Sequence, residues 1–275
     1  MASNPHALIS GGSSGIGLAL AHRLAAKGYA LTLLARDPAR LSEARSALAK
    51  TGATVRVTPT DVRDEAAVGD AVAAAIAEHG APDLLVASAG IVIPGVFKQL
   101  PAAAFHDTMT TNYDGTLNLV RAALPAMLAR RAGRIVLVSS GAGLIGLYGY
   151  TAYAPTKFAV RGLAEALRGE LKPEGIAVSI VYPPDTDTPQ LREEVQIRPA
   201  ITSKIAGGAR VHSAEEVADA ILKGVESGRF TIAPGWEMGL LNRLHSLLGP
   251  LLHRFSFDPV IAKMHGRDGG GTAPG

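Results

Sequence analysis

Ala7-Leu8-Ile9-Ser10-Gly11-Gly12-Ser13-Ser14-Gly15-Ile16-Gly17 decides how the rest of the chain is read. An apolar run of strand type passes directly into a glycine–serine turn, and an amphipathic segment over 17–27 follows. Gly11, Gly15 and Gly17 stand in a G-x-x-x-G-x-G spacing. Glycine permits the tight turn and lets backbone N–H groups come close to an anion, which the following helix N-terminus also attracts. The pattern predicts a pyrophosphate cradle made of Gly11, Ser13, Ser14, Gly15, Ile16 and Gly17. The competing reading is a plain Gly/Ser turn, and the placement between first strand and first helix weighs against it.

Working outward, apolar runs at 7–10, 30–35, 54–59, 84–88, 134–139, 177–182 and 230–233 alternate with Ala-rich amphipathic stretches. Those stretches lie at 17–27, 41–51, 65–79, 105–130, 154–172 and 214–227. Most of the short runs are continuously apolar, as strands covered on both faces require. The alternation predicts a single doubly wound α/β domain over 1–265 with a mainly parallel sheet and helices on both faces. Residues 183–208 break the rhythm with a long polar stretch containing proline, expected to be a substrate loop. The Gly-rich end, 266–275, is expected to be a disordered tail.

The chain of 275 residues has no cysteine, which excludes disulfides, thiol catalysis and Cys-ligated metal; no metal site is expected. Its net charge of +3 is spread along the sequence, so nucleic acid is not an expected partner, whereas an anionic cofactor is welcome. The opening residues lack a basic-then-apolar leader pattern and no apolar run is long enough to span a bilayer, so the expected compartment is the cytoplasm.

The end of the second strand selects the cofactor. An acidic side chain there would accept from a ribose 2′-hydroxyl, whereas an arginine accommodates a 2′-phosphate. The run ends Leu34-Ala35-Arg36, with Arg40 and Ser13 in reach and Asp37 one residue late. A guanidinium forms a fork to phosphate, so NADPH is predicted; a merely solvated Arg36 is the other reading. Asp61 and Val62, closing the third strand, either bound the adenine pocket or, for Asp61, cap the next helix. Ala89 and Gly90, after the fourth strand, are small enough to leave room for the dinucleotide.

Tyr153 and Lys157 are one helical turn apart and share a face. A phenol with its ordinary pKa near 10 exchanges protons poorly at neutral pH. A neighbouring ammonium favours the phenolate and is expected to lower that pKa, making Tyr153 a general acid for reducing a ketone. Ser140, at the end of the fifth strand, can donate to the carbonyl oxygen. Asn112, within the 105–130 helix, is a candidate to hold water in a proton relay from Lys157. A turn serine and a helix-surface asparagine are the plain alternatives.

Taken in order and spacing, Gly11–Gly17, Asn112, Ser140, Tyr153 and Lys157 resemble the short-chain dehydrogenase/reductase family over almost the whole chain. The family's Asn-Asn-Ala-Gly stands here as Ala87-Ser88-Ala89-Gly90. The resemblance implies a Rossmann-type fold and hydride transfer between nicotinamide and a carbonyl carbon. It also implies that Lys157 binds the nicotinamide ribose and that the protein assembles as a homodimer or homotetramer. Within the family, YAPTKFAVRGLAEALRGELK (153–172) and YPPDTDTP (182–189) are most similar to the 3-ketosphinganine reductase branch. Gln190 departs from that branch, which usually carries Gly there. This resemblance implies that the loop bearing Pro183, Thr186 and Thr188 contacts the nicotinamide, with Thr186 and Thr188 at its carboxamide. It also implies a long-chain amino ketone as substrate, whose ammonium Asp185 would pair with; the other reading makes Asp185 and Asp187 caps of a helix starting near Pro189. Another bulky ketone, steroid or fatty-acyl, and a non-catalytic NADP(H) sensor are the alternatives, the latter disfavoured by the intact Ser140, Tyr153 and Lys157.

Over 236–263, Leu240, Leu241, Leu244, Leu247, Leu248, Leu251, Leu252 and Phe255 fall on one helical stripe, with a kink expected at Gly249-Pro250. A basic opposite face and Trp236 suit peripheral contact with the cytoplasmic face of a membrane, or else packing on the core, substrate lid or partner subunit.

Overall fold

The computed structural model describes residues 4–207 and 210–268, the last four as backbone. Nine strands alternate with helices: β1 His6–Ser10, β2 Ala30–Ala35, β3 Val55–Pro59, β4 Leu84–Ala87, β5 Gly133–Val138, β6 Ile176–Val181, β7 Thr186–Asp187, β8 His212–Ser213 and β9 Thr231–Ile232. The helices are α1 Gly15–Ala26, α2 Pro38–Ala49, α3 Glu65–His79, α4 Ala102–Met109, α5 Gly115–Arg130 and α6 Ala154–Leu171. Then come α7 Pro189–Ile197, α8 Ala200–Ala206, α9 Ala214–Glu226, α10 Trp236–Leu252 and α11 Asp258–Asp268.

Seven strands form one parallel sheet in the order β3-β2-β1-β4-β5-β6-β9. Successive strand residues feed opposite cores. Leu8, Leu85 and Ile135 pack with residues of α3, α5 and α6, while their neighbours Ile9, Val86 and Val136 pack with those of α1 and α9. Burial on both faces explains why these strands read as unbroken apolar runs rather than as alternations. The chain winds outward from β1 to β3 and then returns to β4 beside β1, in register Ala7↔Leu84 to Ser10↔Ala87. That reversal opens a crevice beyond the carboxyl ends of β1 and β4, where ligands bind in open α/β sheets. Ser10 fixes its floor: the backbone N–H groups of Ser88 and Ala89 donate to its Oγ at 3.2 and 3.3 Å.

Four expectations need correction. The 183–208 stretch is not a bare loop: β7, α7 and α8 occupy it, with Gly208 outside the described residues. The expected 105–130 helix is interrupted by a π-turn at Thr110–Asp114 between α4 and α5. The Gly-rich end stays helical to Asp268, and 269–275 lie outside the described residues. At the C-terminus α10 runs through Gly249-Pro250, and the irregularity falls just beyond, in a π-turn at His253–Phe257.

Candidate active site

The glycine turn owes its shape to two backbone constraints. Gly11 has φ +70° and lies so close to Ala89 that a Cβ would meet the Ala89 nitrogen at 2.8 Å. A Cβ on Gly17 would stand 2.3 Å from the Gly11 carbonyl oxygen. Only glycine lets α1 start tight against the turn. Ser14 is the N-cap of α1 but makes no side-chain cap bond, so the first-turn N–H groups remain available to an anion. Ser13, Arg36, Arg40, Asp61 and Val62 line the cleft that continues from this turn past Ala89 and Gly90. The cradle therefore fits a dinucleotide pyrophosphate, with two guanidinium groups farther along.

The structure separates the aspartates. Asp37 is the N-cap of α2, accepting from the N–H groups of Ala39 and Arg40 at 2.9 and 3.1 Å, so it is committed to the helix. Asp61 is not the cap of α3; Asp64 is, accepting from Ala67 N–H at 3.0 Å. Asp61 instead binds the Arg63 guanidinium at 2.7 Å, and that hydrogen bonding holds its carboxyl below the ordinary range.

Tyr153 and Lys157 stand at the start of α6 beside the ends of β5 and β6. Lys157 is only 6% exposed, and Tyr153 is partly buried. Its Nζ donates to the Val138 carbonyl at 3.1 Å and lies 5.6 Å from the Tyr153 ring centre. Burial lowers the Lys157 pKa from 10.5 to about 8. The expected lowering of the Tyr153 pKa is overturned for the chain alone: burial pushes the phenol up, the Ser140 hydroxyl opposes this, and Glu194 and Asp185 push it further up. Tyr153 is thus firmly protonated, the form a proton donor needs. Ser140 caps a short 3₁₀ turn; its Oγ accepts from Ala142 N–H at 3.2 Å, leaving its own hydrogen free to donate.

Asn112 sits in the π-turn, buried. Its Oδ1 accepts from Ile91 N–H at 2.8 Å, and its Nδ2 donates to Ile91 O at 2.9 Å and to Thr156 Oγ1 at 3.0 Å. The side chain clamps the backbone next to Gly90, and Oδ1, which accepts only from Ile91 N–H, keeps a second lone pair. π-turns recur at functional sites because they re-aim a side chain in this way.

The 183–189 segment folds over the glycine turn. Pro183 O accepts from Gly141 N–H at 3.2 Å, and Thr186 donates to Pro184 O at 2.8 Å. Thr188, not an aspartate, is the N-cap of α7, and its methyl would meet a Cβ on Gly15 at 3.0 Å. Asp187 pairs with Arg192 at 2.8 Å. Asp185 pairs with Arg198 at 3.3 Å, so it does not face the cavity as a lone carboxylate.

Sequence reasoning missed Tyr150, Glu194 and Arg198. The Tyr150 hydroxyl donates to Glu194, and Arg198 binds the same carboxylate at 2.6 Å. Tyr150 also packs edge-on against Tyr153, ring centres 5.7 Å apart. The i,i+4 spacing of Glu194 and Arg198 was the one available signal.

Ser140, Tyr153 and Lys157 thus share one cavity with Gly11, Gly15 and Gly17. The family model for short chain dehydrogenases matches residues 5–198. The chain belongs to the short-chain dehydrogenase family. A 3-dehydrosphinganine reductase of Danio rerio is 39% identical over 251 residues, covering 90% of this chain and 76% of that one. A 3-dehydrosphinganine reductase of Arabidopsis thaliana is 43% identical over 231 residues, covering 82% and 69%. Among solved structures, levodione reductase superposes with a TM-score of 0.76 at 27% identity, covering 84% of this chain and 95% of that one. As a short-chain dehydrogenase the protein is an oxidoreductase of keto and hydroxyl groups that uses a nicotinamide cofactor, on a Rossmann-type fold.

Proposed function

We propose that this protein reduces the 3-keto group of 3-ketodihydrosphingosine to dihydrosphingosine with NADPH. The observation that carries this reading is a Ser140–Tyr153–Lys157 site lining one cavity with the glycine turn, in a chain whose relatives over most of its length bear the name of that reductase. Gly11, Ser14, Gly15 and Gly17 would hold the pyrophosphate of the dinucleotide, which when bound would supply the hydride from its reduced nicotinamide. Tyr153, protonated, gives its proton to the carbonyl oxygen, and the Ser140 hydroxyl donates a second hydrogen bond that orients it. Lys157 holds positive charge beside the phenol, and Asn112 acts as a positioning residue by fixing Ile91. Ile145, Leu147, Met238, Leu241, Leu252 and Phe257 give the cavity an apolar wall for a long alkyl chain. Preference for NADPH rests on Arg36 and Arg40; Asp37 caps α2 through Oδ1 and pairs with Arg40 through Oδ2 at 3.5 Å.

The same helix that lines the cavity carries an outward apolar face. Trp236, Leu240, Leu244, Leu247, Leu251 and Phe255 are exposed, Trp236 by 75% and Leu247 by 69%. We read this face as a peripheral contact with the cytoplasmic side of a membrane, from which a lipidic substrate enters. No described helix is long and apolar enough to cross a membrane. Assembly as a homodimer or homotetramer belongs to the same reading and is checked by light scattering, where a monomer would count against it. The activity is tested by following NADPH and NADH oxidation with 3-ketodihydrosphingosine, a steroid ketone and a β-ketoacyl thioester. Turnover confined to the other two ketones would refute the assignment.

A further inference from the structure

The catalytic cavity is also lined by charge that the reduction itself does not use. Glu194, on α7, lines the cavity with its side chain 9% exposed. Its Oε1 receives the Tyr150 hydroxyl together with Arg198 Nε at 3.0 Å and Nη2 at 2.6 Å. Oε2 accepts no hydrogen bond from any described residue. Arg198, 4% exposed, also reaches Asp185 Oδ2 through Nη1 and Nη2 at 3.3 and 3.4 Å. Two carboxylates therefore share one guanidinium, and the cluster keeps one uncompensated negative charge against the cavity. A buried charge of this kind is costly unless a partner meets it. No group of described residues at this wall could hold a metal ion.

We propose that Glu194, held by Tyr150 and Arg198, is the subsite for the ammonium of a 2-amino-3-ketone. The inference rests on the reading of the site as an amino-ketone reductase and adds the group that recognises the amine. In such a substrate the amine is carried on the carbon next to the carbonyl carbon. Its subsite must therefore share a wall with the proton donor, and Tyr150 provides that link through its edge-on contact with Tyr153. The field of the cluster reaches the reacting atoms, since Glu194 and Asp185 both raise the Tyr153 phenol. A monocation docked on Oε2 would neutralise the wall, satisfy the free acceptor and relieve that upward push. An anionic carrier bearing the ketone would meet repulsion instead. Asp185 also lines the cavity, but its pairing with Arg198 and its 35% exposure make it the weaker anchor for the amine.

The test compares 3-ketodihydrosphingosine with a 1-hydroxy-3-ketone of equal chain length lacking the amine, both with NADPH. The wild type is expected to prefer the amino ketone in kcat/KM by about 10- to 100-fold, the range of one charge-assisted contact. Glu194→Gln should collapse this preference to within about threefold of unity, Glu194→Asp should restore part of it, and Asp185→Asn should change it less. A purely structural role would slow both ketones alike, so a Glu194→Gln preference equal to that of the wild type overturns the inference. If the variant fails to fold, the N-acetylated amino ketone serves on the wild type: equal turnover of charged and acetylated substrates overturns it equally. A wild type that reduces neither long-chain ketone refutes the functional reading beneath it.

Discussion

Replacing Lys157 by methionine should make the cofactor-free protein more stable while removing its activity. The ammonium is buried, 6% exposed, and among the described residues it has a single hydrogen bond, to the Val138 carbonyl, and no carboxylate partner. A fall in its pKa from 10.5 to about 8 on folding corresponds to about 3 kcal/mol of penalty for burying the charged form. Methionine fills nearly the same volume without charge. It leaves the Val138 carbonyl unpaired, which costs about 1 kcal/mol, so a net gain of about 2 kcal/mol is expected at pH 7. The sign with pH follows from linkage. Below about pH 8 both folded and unfolded chains hold the proton, and the penalty is fully present. Between about 8 and 10.5 the folded chain sheds the proton while the unfolded chain keeps it, so wild-type stability rises relative to the variant. Urea unfolding of both proteins at pH 7, 8, 9 and 10 measures the gap directly. A variant less stable than wild type at pH 7, or a gap that widens with pH, would refute the reasoning.

Arg36→Ala should weaken NADPH binding about 10-fold and leave NADH nearly untouched, and adding Arg40→Ala should widen the difference. Calorimetric titration that finds both cofactors weakened equally would remove the 2′-phosphate role. Leu244 and Leu247 are exposed, by 39% and 69%, so Leu244→Glu/Leu247→Glu should fold normally. Its cosedimentation with vesicles of phosphatidylcholine and phosphatidylglycerol should fall to background; undiminished cosedimentation would show that the outer face of α10 is not the contact.

Much of the fold was legible because doubly covered strands leave a strong local trace. Each of the seven sheet strands begins and ends within one residue of its apolar run. The reaction centre was legible for a similar reason: Tyr153 and Lys157 are four residues apart, and the glycine turn is contiguous. What the sequence hid depends on distance or on direction. Tyr150 and Glu194 are 44 residues apart and meet only after α7 folds over the cavity. α7, Pro-Gln-Leu-Arg-Glu-Glu-Val-Gln-Ile, is mostly polar and short, so it offers little apolar periodicity and resembles a loop in sequence. Asp37, Asp61, Asp64 and Asp187 all precede helices, and only backbone geometry decides which of them caps. The Leu stripe of 236–263 was visible, yet periodicity could not tell that Leu241 and Leu252 turn inward to the core while Leu240, Leu247 and Leu251 stay outside. The pKa of Tyr153 was misjudged because proximity to Lys157 is a local property, whereas burial is a property of the whole fold.

Single-turnover reduction of 3-ketodihydrosphingosine by NADPH, in wild type and Tyr153→Phe, bears most directly on the site. The variant keeps the ring and its packing against Tyr150 but lacks the donated proton. The rate should fall by about 100-fold or more with NADPH affinity unchanged. A Tyr153→Phe protein that reduces the ketone at the wild-type rate would contradict the assignment of Tyr153 as the acid.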